Sequence, residues 1–317
     1  RDNDLILGTH GRSIWVLDDM TPLEQLTEDV LASGLHSFDV RDAVAYRLSN
    51  HKGNTGHKMF IAPNPPEGAL IHYYLNDDIT DEDTVEITIH GDADETIRTL
   101  HGSGATGLNR VNWDLRHEPP LPPTGQGGFG GPPAGPRALP GTYSVRITAG
   151  DSQSTTTVTV FDDPRINVPQ ADRRAQRDAL LGLGGLMARL DGAHQTAERF
   201  TGQLELLAES LESGEVPAAV SSMVVSVSDQ MDALEGKLAR GGGFGGASPR
   251  PLSSRITRLY RNLESYTERP NAFQVTRIEA YTQEFNGLLE ELDQFIASEI
   301  ATLNSTIEQH GIQRITH

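Results

Sequence analysis

The chain contains no cysteine. That removes disulfide frameworks, cysteine-ligated zinc and thiol nucleophiles together, and leaves the compartment open. No apolar run approaches the ~18 residues that a membrane span needs. Lysine is nearly missing: only Lys52, Lys58 and Lys237 occur, and the other basic residues are arginines. Acids outnumber bases, 44 Asp and Glu against 26 Lys and Arg, for a formal net charge of −18. A surface of that sign gains nothing from phosphate counterion release, which argues against nucleic acid as a partner. Hydrophobic residues make up 36% of the 317 positions, a lean fraction that still suffices for cores in two or three domains.

The familiar catalytic signatures are also missing. The chain has no nucleophile elbow, P-loop, HExxH or Rossmann fingerprint. The acidic run Asp77, Asp78, Asp81, Glu82 and Asp83 lacks the D-x-D-x-D-G alternation of a calcium loop, so a solvated turn is expected there. Asp18 and Asp19 are adjacent carboxylates. As neighbours in a strand they would point to opposite faces and could not flank one glycosidic bond. No catalytic residue, cofactor or metal is expected. The polar pair that a ligand can reach is His10 and Arg12, on the turn of an apolar hairpin.

The residues that are present fall into periods. Leu5, Ile6 and Leu7, the turn Gly8-Thr9-His10-Gly11-Arg12, and Ser13 to Leu17 predict two short strands with little of their own to pack against. Residues 27–63 are mixed and polar and are expected as a connector. From residue 64 the apolar period is two: Ala69, Ile71, Tyr73 and Leu75; Val85, Ile87 and Ile89; Val111 and Trp113; Tyr143, Val145 and Ile147; Val158 and Val160. Strands at that spacing predict an antiparallel sandwich over 64–163, interrupted by a Gly/Pro-rich loop at 116–139 that is too poor in apolar side chains to hold a core.

After residue 164 the period becomes helical. Leu183, Met187, Leu190, Phe200, Leu204, Leu207 and Leu211 step by threes and fours, and three further stripes follow. Helices are expected over about 169–212, 218–240, 252–268 and 271–309, punctuated by Pro217, Gly241 to Gly243 and Pro270. They suggest an elongated antiparallel bundle, although the same stripes could build a homo-oligomeric coiled coil. Gly182, Gly184, Gly185, Gly192 and Gly202 lie in the first helix and predict a kink or a close contact there. His194, alone on its apolar stripe, is expected as a core residue.

Gly8-Thr9-His10-Gly11-Arg12-Ser13-Ile14-Trp15 resembles the hairpin repeated in BNR (Asp-box) β-propellers. The stretches Asn64 to Leu75, Gly107 to Leu115 and Pro140 to Arg146 are similar to the immunoglobulin-like domain that follows the propeller in large bacterial sortilin-like proteins, and the tail with Leu303-Asn304 and His310-Gly311-Ile312 is similar to the way those proteins end. The resemblance covers nearly the whole chain. It implies a fold that is multidomain, β then α: a last-blade remnant of a β-propeller at 1–26, the connector, an immunoglobulin-like β-sandwich, and a helical bundle over 164–317. It implies a non-catalytic, extracytoplasmic fragment that supports binding of a protein or glycan ligand. Two alternatives stand beside it. One is an accessory region of a BNR-repeat glycoside hydrolase whose catalytic carboxylates lie upstream; the other is an oligomerising structural module. Where an Asp-box would follow, the chain has Val16-Leu17-Asp18-Asp19, a degenerate form.

Overall fold

Alternation in the first half and a three-four stripe in the second are realised as sheets followed by a long helical region. The computed structural model describes residues 3–11, 13–47, 66–79, 85–122, 133–212, 217–239 and 250–316. Two compact units result, one of residues 1–118 with 134–169 and one of 119–133 with 170–317.

Unit 1 begins with a separate hairpin, β1 (Leu5–Gly8) and β2 (Ile14–Leu17), paired antiparallel with Leu5 opposite Leu17 and Gly8 opposite Ile14. Two short helices follow, α1 (Thr21–Gln25) and α2 (Glu28–Ala32). The Thr27 side chain caps α2 by accepting from the amide of Val30. Eight more strands complete the unit: β3 (Leu35–Ser37), β4 (Ala43–Ala45), β5 (Ala69–Leu75), β6 (Val85–His90), β7 (Thr96–Gly102), β8 (Gly107–Trp113), β9 (Gly141–Ala149) and β10 (Ser152–Asp162). They form a five-stranded sheet in the order β4-β10-β9-β6-β7 and a three-stranded sheet in the order β3-β5-β8. All of these pairings are antiparallel except β4 with β10.

Both sheets contribute to one apolar core, in which Ile71, Tyr73, Val85, Ile87, Ile89, Trp113, Val145 and Ile147 are completely buried. These are the period-two residues, because every second side chain of a strand shares a face. The stretch expected as a connector is more than that: its described part supplies an edge strand to each sheet. Strands of three residues are too short to show a period, so the pattern could not mark them. The parallel edge is clamped at its end. Arg47, beyond β4, donates its amide to Asp163, beyond β10, at 3.0 Å, and Arg165 donates Nη2 and Nε to the same carboxylate at 2.6 and 2.8 Å. The Arg165 guanidinium, followed by the Arg47 amide, holds that carboxyl well below the usual range.

Unit 2 consists of α3 (Gln170–Glu212), α4 (Ala218–Leu238), α5 (Leu252–Glu264), α6 (Ala272–Phe295) and α7 (Ala301–Gln309), the last two joined by a π-helical turn at Ile296–Ile300. Leu183, Leu204, Met231, Ile256, Leu263, Phe285, Leu303 and Ile307 fill its core. α6 starts with a reciprocal cap, in which Asn271 Oδ1 accepts from the amide of Gln274 at 3.0 Å and Gln274 Oε1 accepts from the amide of Asn271 at 2.9 Å. Asn304 binds both backbone groups of Ile315 at 2.8 Å, which ties down the tail. No described helix is long and apolar enough to cross a membrane.

The Gly/Pro-rich stretch is a partial correction to the expected loop. Residues 123–132 lie outside the described residues, but the flanks are fixed: Arg116 bridges Arg137 in unit 1, and Leu121 packs on the core of unit 2. Composition averaged over 24 positions hides one apolar anchor. Of the five glycines of α3, Gly184 alone has a close neighbour among the described residues, since a Cβ there would stand 3.1 Å from Pro120 Cβ. The helix is continuous across all five.

Both tryptophans lie in unit 1, so fluorescence reports that unit and far-UV circular dichroism mainly the other. Leu204→Ala should cost unit 2 about 2–5 kcal/mol, seen as an earlier dichroism transition in denaturant. The exposed neighbour replacement Leu206→Ala should change it by less than about 0.5 kcal/mol.

Candidate functional site

Unit 1 contains a cleft of about 650 Å³. Four segments wall it: the base of the hairpin with Asp4, Asp18 and Asp19; the stretch from Arg41 to Tyr46 that contains β4; the start of β5 and the end of β8 with Gly68 and Asp114; and Arg137.

The hairpin base is a polar corner. Asp19 has φ of +63°, a left-handed conformation that Asp and Asn tolerate better than most residues. Its amide donates to Asp4 Oδ1 at 3.1 Å, and its own Oδ1 accepts from the amide of Thr21 at 3.1 Å. The Met20 amide donates to the carbonyl of Asn3 at 2.8 Å, which closes the corner. Arg41 donates to Asp4 Oδ1 at 3.4 Å. Asp19 is 4% exposed, and its Oδ2 is buried without a donor among the described residues.

The far wall depends on two unusual backbone positions. Gly68 has φ of +120°, and a Cβ placed there would lie 1.9 Å from the carbonyl oxygen of Trp113. Leu115 has φ of +55° and is buried. The chain can therefore turn sharply after β8 and present Asp114 to the cleft while Leu115 points inward.

The placement of Asp18 and Asp19 corrects the sequence expectation. β2 ends at Leu17, so the alternation of a strand does not apply to them, and the corner brings both carboxylates to one cleft. The pair of acids directly before a Thr-Pro helix start is the signal for this, because a reversing chain must place short polar side chains there. His10 lies on the exposed hairpin turn and does not line the cleft, and Arg12 lies outside the described residues.

Sequence pattern does not single out His72 either. It is on β5, on the face opposite Ile71 and Tyr73, and is 5% exposed, with Nδ1 lacking a partner among the described residues. Burial lowers its pKa from 6.5; the nearby Asp19 carboxylate opposes the shift and Arg110 adds to it. The net direction keeps the imidazole neutral in the fold.

Among the described residues no group of three or more His, Asp or Glu side chains could hold a metal ion. What the cleft offers is a surplus of carboxylates on a partly apolar wall. Comparison with family models, with curated proteins and with solved structures returns no match for this chain. The cleft and the hairpin are thus the features from which a function must be argued.

Two outcomes follow. Gly68→Ala should destabilise unit 1 by at least about 2 kcal/mol, because it adds an unfavourable φ to a clash with backbone, and the tryptophan transition should report it. The depressed pKa of His72 means that the unfolded chain binds the extra proton first as pH falls. Stability of unit 1 should be full above pH ~6.5 and decline as the pH falls from there toward the folded-state pKa, and His72→Gln should flatten that slope in the pH dependence of thermal unfolding.

Proposed function

We propose that this chain is a non-catalytic, extracytoplasmic part of a sortilin-like propeller protein, in which an immunoglobulin-like sandwich and an antiparallel helical bundle support binding of a protein or glycan ligand by the propeller. The observation that carries the proposal is the hairpin. All eight residues of β1 and β2 are exposed, with Ile14 at 73% and Trp15 at 64%, and the two strands pair only with each other among the described residues. Leu5, Ile6, Leu7, Ile14, Trp15, Val16 and Leu17 make a two-sided apolar ribbon, which water disfavours on both faces. Further blades of a propeller, preceding this chain, would cover such a ribbon and pair its edges.

The test compares this chain with one extended by the residues that precede it in the coding sequence. The extended protein should show Trp15 emission at shorter wavelength and resist protease at the hairpin. Emission unchanged from that of the present chain would overturn the proposal. Trp15→Phe in both proteins assigns the signal, since Trp113 is buried in either case.

A further inference from the structure

β5 turns Ile71 and Tyr73 to the core, and Leu70, His72 and Tyr74 to its other face. The segment from Asp19 to Gln25 is pinned at two points beside that second face. At one end, Asp19 and Met20 donate their amides to Asp4 and Asn3, in the corner that walls the cleft together with Leu70. At the other, Gln25 exchanges two bonds with Asp39, Nε2 donating to the carboxylate at 2.7 Å and Oε1 accepting from the amide at 3.1 Å. Asp39 adjoins Phe38, whose amide donates to the carbonyl of His72 at 3.2 Å. His72 is thus one rung beyond Leu70 and level with Phe38, between the two pins, and it is 5% exposed.

We propose that the strap from Asp19 to Gln25 is an acid-released latch: proton uptake by His72 frees the strap from β5, and with it the hairpin that the corner holds. The latch does not depend on what covers the hairpin.

The geometry makes a proton costly while the strap is closed. An imidazolium donates from both ring nitrogens, and a buried cation without an acceptor is expensive. Among the described residues His72 Nδ1 and Asp19 Oδ2 both lack a partner, so they are not bonded to each other, and Asp19 Oδ1 is committed to the Thr21 amide. The remaining surroundings supply no anion. Arg110, the register partner on β8, is a cation, and Phe38 on the other side is apolar and fully buried, with His36 edge-on to it at 5.0 Å. Leu70 and Tyr74 flank the ring along β5, and the acids of α1 and α2, Glu24, Glu28 and Asp29, are exposed. Asp19 is the carboxylate whose pull favours the proton, and burial outweighs it.

Opening of the strap is also the shortest way to wet the ring. Its ties are a few polar bonds at the ends of a seven-residue segment, whereas β5 is bonded between β3 and β8 in its sheet. Segments with few contacts open first. With the strap away, His72 regains water and its ordinary proton affinity, so opening takes up a proton and becomes easier as the pH falls below ~6.5.

Amide hydrogen exchange of the 317-residue chain, corrected for the intrinsic effect of pH on exchange, tests the latch. Between about pH 7.5 and about pH 5.5, protection of the Asp19, Met20 and Asp39 amides should fall by at least about threefold, while the capped Gln274 amide of unit 2 keeps its own. At both pH values the corner should be less protected than Val145 and Ile147 on β9 and nearly insensitive to dilute urea, as a local opening is. His72→Gln should abolish the fall and His36→Gln should leave it in place. In the wild-type chain with labelled histidine, the His72 ring should titrate together with the loss of protection, a readout that needs no variant. Unchanged or rising protection at the corner, protection equal to that of Val145, or a fall retained in His72→Gln would each overturn the latch. A His72 ring that titrates with no change at Met20 would overturn it as well.

Discussion

Trp113 holds unit 1 together and, through it, the cleft. It is fully buried, stands edge-on to Tyr143 with ring centroids 5.2 Å apart, and donates its indole N–H to the carbonyl of Arg116 at 2.9 Å. That last bond crosses the sharp turn at Asp114 and Leu115. The turn is then continued by Ala138 donating to Leu115 at 2.8 Å and by Arg116 reaching the carbonyl of Gly135 at 2.8 Å. Against the Trp113 carbonyl, Gly68 must lack a side chain. One aromatic residue at the end of β8 thus fixes two sheets, the return of a Gly/Pro-rich segment and the acidic wall formed by Asp114.

The hairpin is joined to this framework differently. Its tether is polar: Asp19 to Asp4 and Thr21, Met20 to Asn3, Arg41 to Asp4. Hydrogen bonds of that kind are each worth about 1 kcal/mol net. Covering even half of the seven exposed apolar side chains would be worth on the order of 5 kcal/mol. The apolar contribution is the greater of the two and is unrealised in this chain, where the hairpin is held in position by its corner. Its strands are regular because the ladder from Leu5 with Leu17 to Gly8 with Ile14 closes across a tight turn, and not because a core selects one face.

Part of this is legible in the sequence, and the physical reason differs by element. Val85, Ile87 and Ile89, or Val220, Val224, Val227, Met231, Leu234 and Leu238, show their buried faces because each element is long enough to repeat its own period. Ala43 to Ala45 cannot, being a three-residue edge. The cleft is illegible for a second reason: its residues come from segments far apart in the chain, Asp19, Asp42 and Asp114, brought together by sheet pairing that no local pattern encodes. His72 looks like one more residue of an apolar strand, because β5 is covered on both faces where β6 alternates. Asp19 escapes the pattern by a single step of secondary structure: just beyond a strand, alternation gives way to the geometry of a turn.

Uncovered apolar surface is distributed differently in the two units. In unit 2 the exposed large side chains are spread over three helices, Leu181 and Leu206 on α3, Val225 on α4, and Phe273 and Val275 at the start of α6, where Phe273 is roofed by the Arg277 guanidinium at 5.0 Å. Scattered residues of this kind are normal on any soluble surface. In unit 1 seven are contiguous on one hairpin, and the acidic cleft opens at its foot. Surface left open on both faces of one hairpin is the feature of unit 1 that a cover of matching apolar strands would bury.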